Sequence, residues 1–158
     1  MNWFNADNRL LWGALFYVIA CAISIGFGVS EFWLYLLSIT GTLAAVYVIF
    51  FDMLKSVRSG YFAYRVLMRI STSAILFVVA ATLFFLAYGL HHSVPANKGP
   101  EALDSLYFSI VSFSTLGYGD ITTSGIGRLA SSMLAVIGNL HLALIAGASF
   151  TWITASKI

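Results

Sequence analysis

The sequence predicts an all-α integral membrane protein: four transmembrane helices, and a shorter re-entrant helix that enters the membrane only part way. Three observations carry that prediction. Of 158 residues, 60% are hydrophobic and 9% charged, and mean hydropathy is +0.92; a soluble domain carries about 25% charged residues. Four stretches are apolar over about 20 residues, the length that crosses roughly 30 Å of hydrocarbon. The runs are continuous, whereas barrel strands alternate and need only about ten residues. The same composition excludes other classes. Aromatics at 16% and only two prolines exclude a disordered chain. One cysteine excludes a disulfide framework, and a net charge of +2 leaves no basic surface for nucleic acid.

The first span runs from Leu10 to Val29 and the second from Phe32 to Phe51, both without a charge. Val18-Ile19-Ala20-Cys21 loosely resembles a lipoprotein cleavage site, but the apolar run continues past Cys21, which reads as a small apolar helix residue. The third span is Ile70 to Leu90 and the fourth Leu129 to Ile153. Lys55, Arg58, Arg65 and Arg69 lie between spans two and three, so that linker is expected in the cytoplasm. Both termini then face the cytoplasm, with Arg9 and Lys157 inside. Lys98 and Arg128 face outward, beside Glu31, Glu101, Asp104 and Asp120. Residues Ser56 to Ile70 read either as an amphipathic helix on the inner surface or as a simple basic loop. Arg58, Arg65 and Arg69 are spaced by seven and four and sit in the linker, which excludes a voltage sensor.

Between spans three and four, Ala102 to Ser114 is too short to cross. Pro100 before it suits a helix start, and Glu101 and Asp104 suit the positive end of a helix dipole. It runs directly into Ser114-Thr115-Leu116-Gly117-Tyr118-Gly119-Asp120. Non-helical backbone at membrane depth costs several kcal/mol per unpaired group unless it is buried in protein or lines water. Alternating glycines permit backbone angles closed to other residues. Such a strip can turn successive carbonyls to one side, where they could replace the water shell of a cation.

Thr-x-Gly-Tyr-Gly-Asp after a short helix, between two spanning helices, resembles the pore of potassium channels, whose filters carry valine where this chain has Leu116. The resemblance covers about 85 residues, from Ile70 to Ile153. It implies a pore helix at 102–114, a selectivity filter at 115–120, an outer helix at 70–91 and an inner helix at 128–155. It also implies that Thr115, Leu116, Gly117 and Tyr118 bind K+ ions through carbonyls, with Gly119 at the outer mouth. The Leu116 side chain would face the pore helix. Asp120 would concentrate cations, and the Tyr118 ring would pack against Tyr107 and Phe108. Some relatives carry a glutamate on the pore helix that bonds to the aspartate. Here that position is Val111, so Asp120 needs another partner, an indole or water. Gly138 falls where inner helices often have a glycine hinge, though close helix packing explains it equally well. Asn139, Leu142, Ala146 and Phe150 share one helix face and are candidates to line a cavity, with Phe150 as an apolar constriction or a lipid-facing aromatic. A closed carbonyl ring needs four chains, which implies a homotetramer.

The chain therefore divides into two N-terminal helices (1–54), a basic linker (55–69) and a potassium channel pore domain (70–158). Three histidines invite a haem reading, but His141 has no partner at its depth, and His91 and His92 read as interfacial residues open to a modest pH effect. His141 is expected to bond to another helix. No Walker motif, metal-ligand cluster or nucleophile arrangement points to an enzyme. No cofactor is expected beyond K+ as the permeant ion, and no partner beyond membrane lipid and further copies of the chain. The expected protein is a multi-pass subunit of the cell membrane that conducts K+ passively. The rivals are a less selective cation channel and a non-conducting regulatory subunit.

Overall fold

The computed structural model describes residues 6–49, 63–93 and 99–155. Five α-helices occur among them: α1 (Ala6–Gly26), α2 (Glu31–Tyr47), α3 (Ala63–Tyr88), α4 (Glu101–Phe113) and α5 (Gly125–Ala155). One departure from an all-α architecture joins them. Strands β1 (His91–His92) and β2 (Ile121–Thr122) pair antiparallel, with His91 opposite Thr122 and His92 opposite Ile121.

Two described helices are long and apolar enough to cross a membrane, over Arg65–Tyr88 and Gly125–Phe150. The apolar parts of α1 and α2, Leu11–Gly26 and Glu31–Tyr47, are shorter. Seventeen helical residues rise roughly 26 Å at about 1.5 Å each, somewhat less than a full hydrocarbon layer.

Helix bounds differ from those read off hydropathy, for identifiable reasons. α3 starts at Ala63 instead of residue 70, so Arg65 and Arg69 are helical and not part of a separate linker. The backbone ladder does not need apolar side chains, and the Arg, Leu and Met of this turn are all good helix formers. The rest of the proposed interfacial stretch, with Lys55 and Arg58, lies outside the described residues, as do Lys98 and Lys157. α3 ends at Tyr88, and His91 leaves it to join β1. α4 is displaced by one residue from 102–114. α5 starts before Arg128, because the Gly127 amide already bonds to Ser124 O at 2.9 Å.

Packing runs from the N-terminus inward. α2 lies along α3, and α1 touches both. Tyr17 of α1 donates to Leu37 O at 2.6 Å and lies over Gly41, where any Cβ would meet its ring at 2.7 Å. Cys21, Leu34 and Leu83 close one end of this contact. A second cluster joins Ala45, Val48, Leu76 and Phe77 with Tyr17, Phe113 and Ile137, so it takes in all five helices. A third gathers Phe85, Phe108, Ile121 and Leu134 around α4. Phe113 belongs to both of the last two.

Candidate functional site

The strip 115–120 is suspended between α4 and β2. At the start of α4 the Leu103 and Asp104 amides bond to Pro100 O at 2.9 and 3.0 Å, and Glu101 and Asp104 occupy the first turn. At its end, three amides fold the chain back on the helix. Ser114 donates to Ile110 O at 2.8 Å, Thr115 to Ser112 O at 3.1 Å and Leu116 to Val111 O at 3.0 Å. Val111 thus serves the strip through its carbonyl, while its side chain is buried.

Backbone conformation then alternates. Thr115, Gly117 and Gly119 have φ of 60°, 55° and 78°, while Leu116 and Tyr118 do not take positive values. In an ordinary strand successive residues point to opposite sides. Alternating the sign of φ offsets that reversal, which is the backbone pattern that lets successive carbonyls face one side. Thr115 is the one non-glycine at positive φ among the described residues. A β-branched residue there is a true outlier, of the kind held in place only by its surroundings. No atom lies within 4 Å of a Cβ built on Gly117 or Gly119, so conformation, and not space, selects glycine.

The Asp120 end of the strip is fastened on three sides. The Tyr107 hydroxyl donates to Asp120 Oδ2 at 2.9 Å. That bond, first, holds the phenol above its ordinary pKa, so it stays a donor. The Tyr107 and Tyr118 rings stack at 6.4 Å, 8° from parallel. The Asp120 carbonyl accepts both the amide and the hydroxyl of Ser93, each at 2.9 Å. His92 Nε2 lies 3.2 Å from Asp104 Oδ2, which also accepts the Gly99 amide at 3.0 Å. The segment from β1 to Ser93 therefore ties the Asp120 end of the strip both to the end of α3 and to the start of α4.

Several residues fall elsewhere than the sequence suggested. Phe108 does not pack on Tyr118; its ring meets Phe85 edge-on at 4.8 Å. Asp120 finds a phenol and not an indole. Gly138 is buried against the last residue of α4: a Cβ there would fall on the Phe113 carbonyl, 2.7 Å from its carbon. That is a close-packing glycine in an unbroken helix. Asn139, Leu142, Ala146 and Phe150 are exposed on α5 in the single chain. Sequence reading missed Ser93 and the β1–β2 pair. It also missed the strain at Thr115, for which no residue-type signal exists.

In the single chain the strip is open. Leu116 is 60% and Tyr118 66% exposed, and a groove of about 340 Å³ separates it from Ser131 and Ser132 of α5. A polar backbone strip flanked by exposed apolar side chains suits a surface that other chains complete.

Residues 71–155 match the model of a family described as ion channel. Over 97 residues, 61% of this chain, the sequence is 33% identical to a provisionally named potassium channel protein of Rhodopseudomonas palustris. The aligned stretch is 22% of that protein, so the chain spans about a fifth of its length. No solved structure matches the chain.

Proposed function

Because the chain belongs to the ion channel family, matched over residues 71–155, we propose that it is the subunit of a potassium-selective channel conducting K+ passively across the cell membrane. The observation that carries this reading is the alternation of φ through Thr115, Gly117 and Gly119. Carbonyls gathered on one side offer a dehydrated cation the oxygens that it loses from water. Four copies around an axis close each carbonyl level into a ring, so the working assembly is a C4 homotetramer. The openness of the strip in one chain supports that assembly.

In this assembly Thr115, Leu116, Gly117 and Tyr118 provide the K+ sites and Gly119 the outer mouth. The C-terminal end of α4 adds partial negative charge beneath them, which favours a cation. Four Asp120 carboxylates raise the local cation concentration at the entrance. Tyr107 holds each carboxylate and, through the stacked Tyr118, the backbone behind it. On α5, Asn139, Leu142, Ala146 and Phe150 face the ion path below the filter. α1 and α2 complete four membrane-embedded helices in a peripheral layer, with both termini in the cytoplasm.

The test is ion flux from liposomes containing the purified chain, with K+ or Na+ inside. The expected result is rapid K+ release, little Na+ release, and loss of the difference in Gly119→Ala. Equal release of both ions would favour a less selective cation channel, and no release a non-conducting subunit.

A further inference from the structure

α1 and α2 lie outside the family match, yet their packing reaches the base of the strip. Ser73 of α3 is wholly buried, and its hydroxyl lies 3.2 Å from Ala45 O of α2 and 3.2 Å from Nε2 of His141 on α5. His141 is 2% exposed, with Nδ1 2.8 Å from Ile137 O. A carbonyl only accepts, so Nδ1 carries the hydrogen, and the neutral ring presents Nε2 as an acceptor. Both neighbours are acceptors and the hydroxyl has one hydrogen, so it donates to Nε2 or to Ala45 O in turn, and this one side chain lies within reach of both flanking helices. The far side of the imidazole lies against the Phe113 ring, centroids 5.3 Å apart, and meets Phe77 edge-on at 5.5 Å. Phe113 is the last residue of α4 and stands two residues before Thr115. Gly138, one turn before His141, takes up the Phe113 carbonyl.

Polar groups at membrane depth are costly unless paired, and a paired one fixes helix register in a way that apolar contact does not. Thr115 needs such fixing. Its positive φ persists only if neighbouring structure over-determines it. Its own amide and those of Ser114 and Leu116 on either side bond back to α4. Two residues before it, the Phe113 ring lies against His141.

We propose that Ser73 and His141 form a bridge through which α1 and α2 brace the innermost ion site, with His141 a positioning residue for Thr115. The N-terminal helices are then a built-in brace for ion selection, and not only a peripheral layer. Loosening the bridge frees Phe113, lets Thr115 relax to negative φ and turns its carbonyl off the axis. This inference rests on the potassium-channel reading.

The test uses the full chain in liposomes, with thermal stability and the K+/Na+ permeability ratio measured side by side. Ser73→Ala deletes one buried hydroxyl. His141→Phe keeps a ring and removes both hydrogen bonds, whereas His141→Gln retains an amide able to reach Ser73. Phe77→Leu removes the ring edge beside His141 and loosens the same cluster, but keeps both hydrogen-bonding partners of the bridge. Ser73→Ala and His141→Phe should lower the ratio at least tenfold, His141→Gln should restore much of it, and Phe77→Leu should lose stability while keeping the ratio. If His141→Phe does not fold, Ser73→Ala decides. A wild-type ratio in Ser73→Ala, or an equal loss in Phe77→Leu, would overturn the bridge. A wild-type chain without potassium preference would overturn the channel reading itself, and the bridge with it.

Discussion

Gly138→Ala separates two readings of α5 by the sign of its effect. As a free hinge in an exposed helix, Gly138 would gain from substitution, because alanine is the better helix former by about 1 kcal/mol. The structure makes it a contact point instead. A new Cβ would lie 2.7 Å from the Phe113 carbonyl carbon and 3.2 Å from its Cα, where carbon–carbon contacts ordinarily sit at about 3.5–4.0 Å. α4 or α5 must therefore retreat by about 1 Å, and overpacking of this kind costs typically about 1–3 kcal/mol. The loss exceeds the helical gain. Tryptophan fluorescence during heating of the purified protein should show a lower unfolding midpoint for the variant. Because Thr115 follows Phe113 by two residues, the K+ preference should fall as well. A raised midpoint with unchanged ion preference would refute the packing argument and restore the hinge.

Three further outcomes follow from the same geometry. Tyr107→Phe removes the donor to Asp120 Oδ2 while keeping the stacked ring; K+ current in planar bilayers should decay during sustained recording where the wild type holds steady, and equal persistence would show that the bond is idle. A cysteine placed at Ser59 should be shielded from impermeant thiol reagents added outside intact cells, and one at Ala96 should react; the reverse labelling would invert the topology. Asn139→Asp adds a carboxylate to the exposed face of α5, so internal spermine should block outward current in inside-out patches, multivalent cations being drawn to carboxylates that line a low-dielectric vestibule. Unchanged current–voltage curves from the folded variant would remove Asn139 from the ion path.

Hydropathy made the helical architecture legible because membrane depth forces long apolar runs. It misplaced the start of α3, since Arg65 and Arg69 end the apolar run without ending the backbone ladder. Gly117 and Gly119 announced unusual backbone angles by their residue type. Thr115, equally unusual at φ 60°, did not, because threonine is a poor candidate for that region and only its neighbours hold it there. That His141 needed a partner followed from its depth. That the partner is Ser73, 68 residues earlier, is a matter of tertiary register that spacing does not encode. Similarly, Tyr107 was recognisable as a partner for the Tyr118 ring, but the phenol's reach to Asp120 depends on where Ser93 anchors that end of the strip.

The most direct measurement is the zero-current potential of a planar bilayer containing the wild-type chain, with KCl on one side and an equal concentration of NaCl on the other. Each tenfold preference for K+ displaces that potential by about 59 mV for a monovalent charge. A carbonyl filter built from Thr115 to Tyr118 predicts a displacement on the order of 100 mV or more, negative on the K+ side, that collapses in Gly119→Ala. A potential near zero in the wild type, with clear single-channel currents carried by both ions, would contradict it.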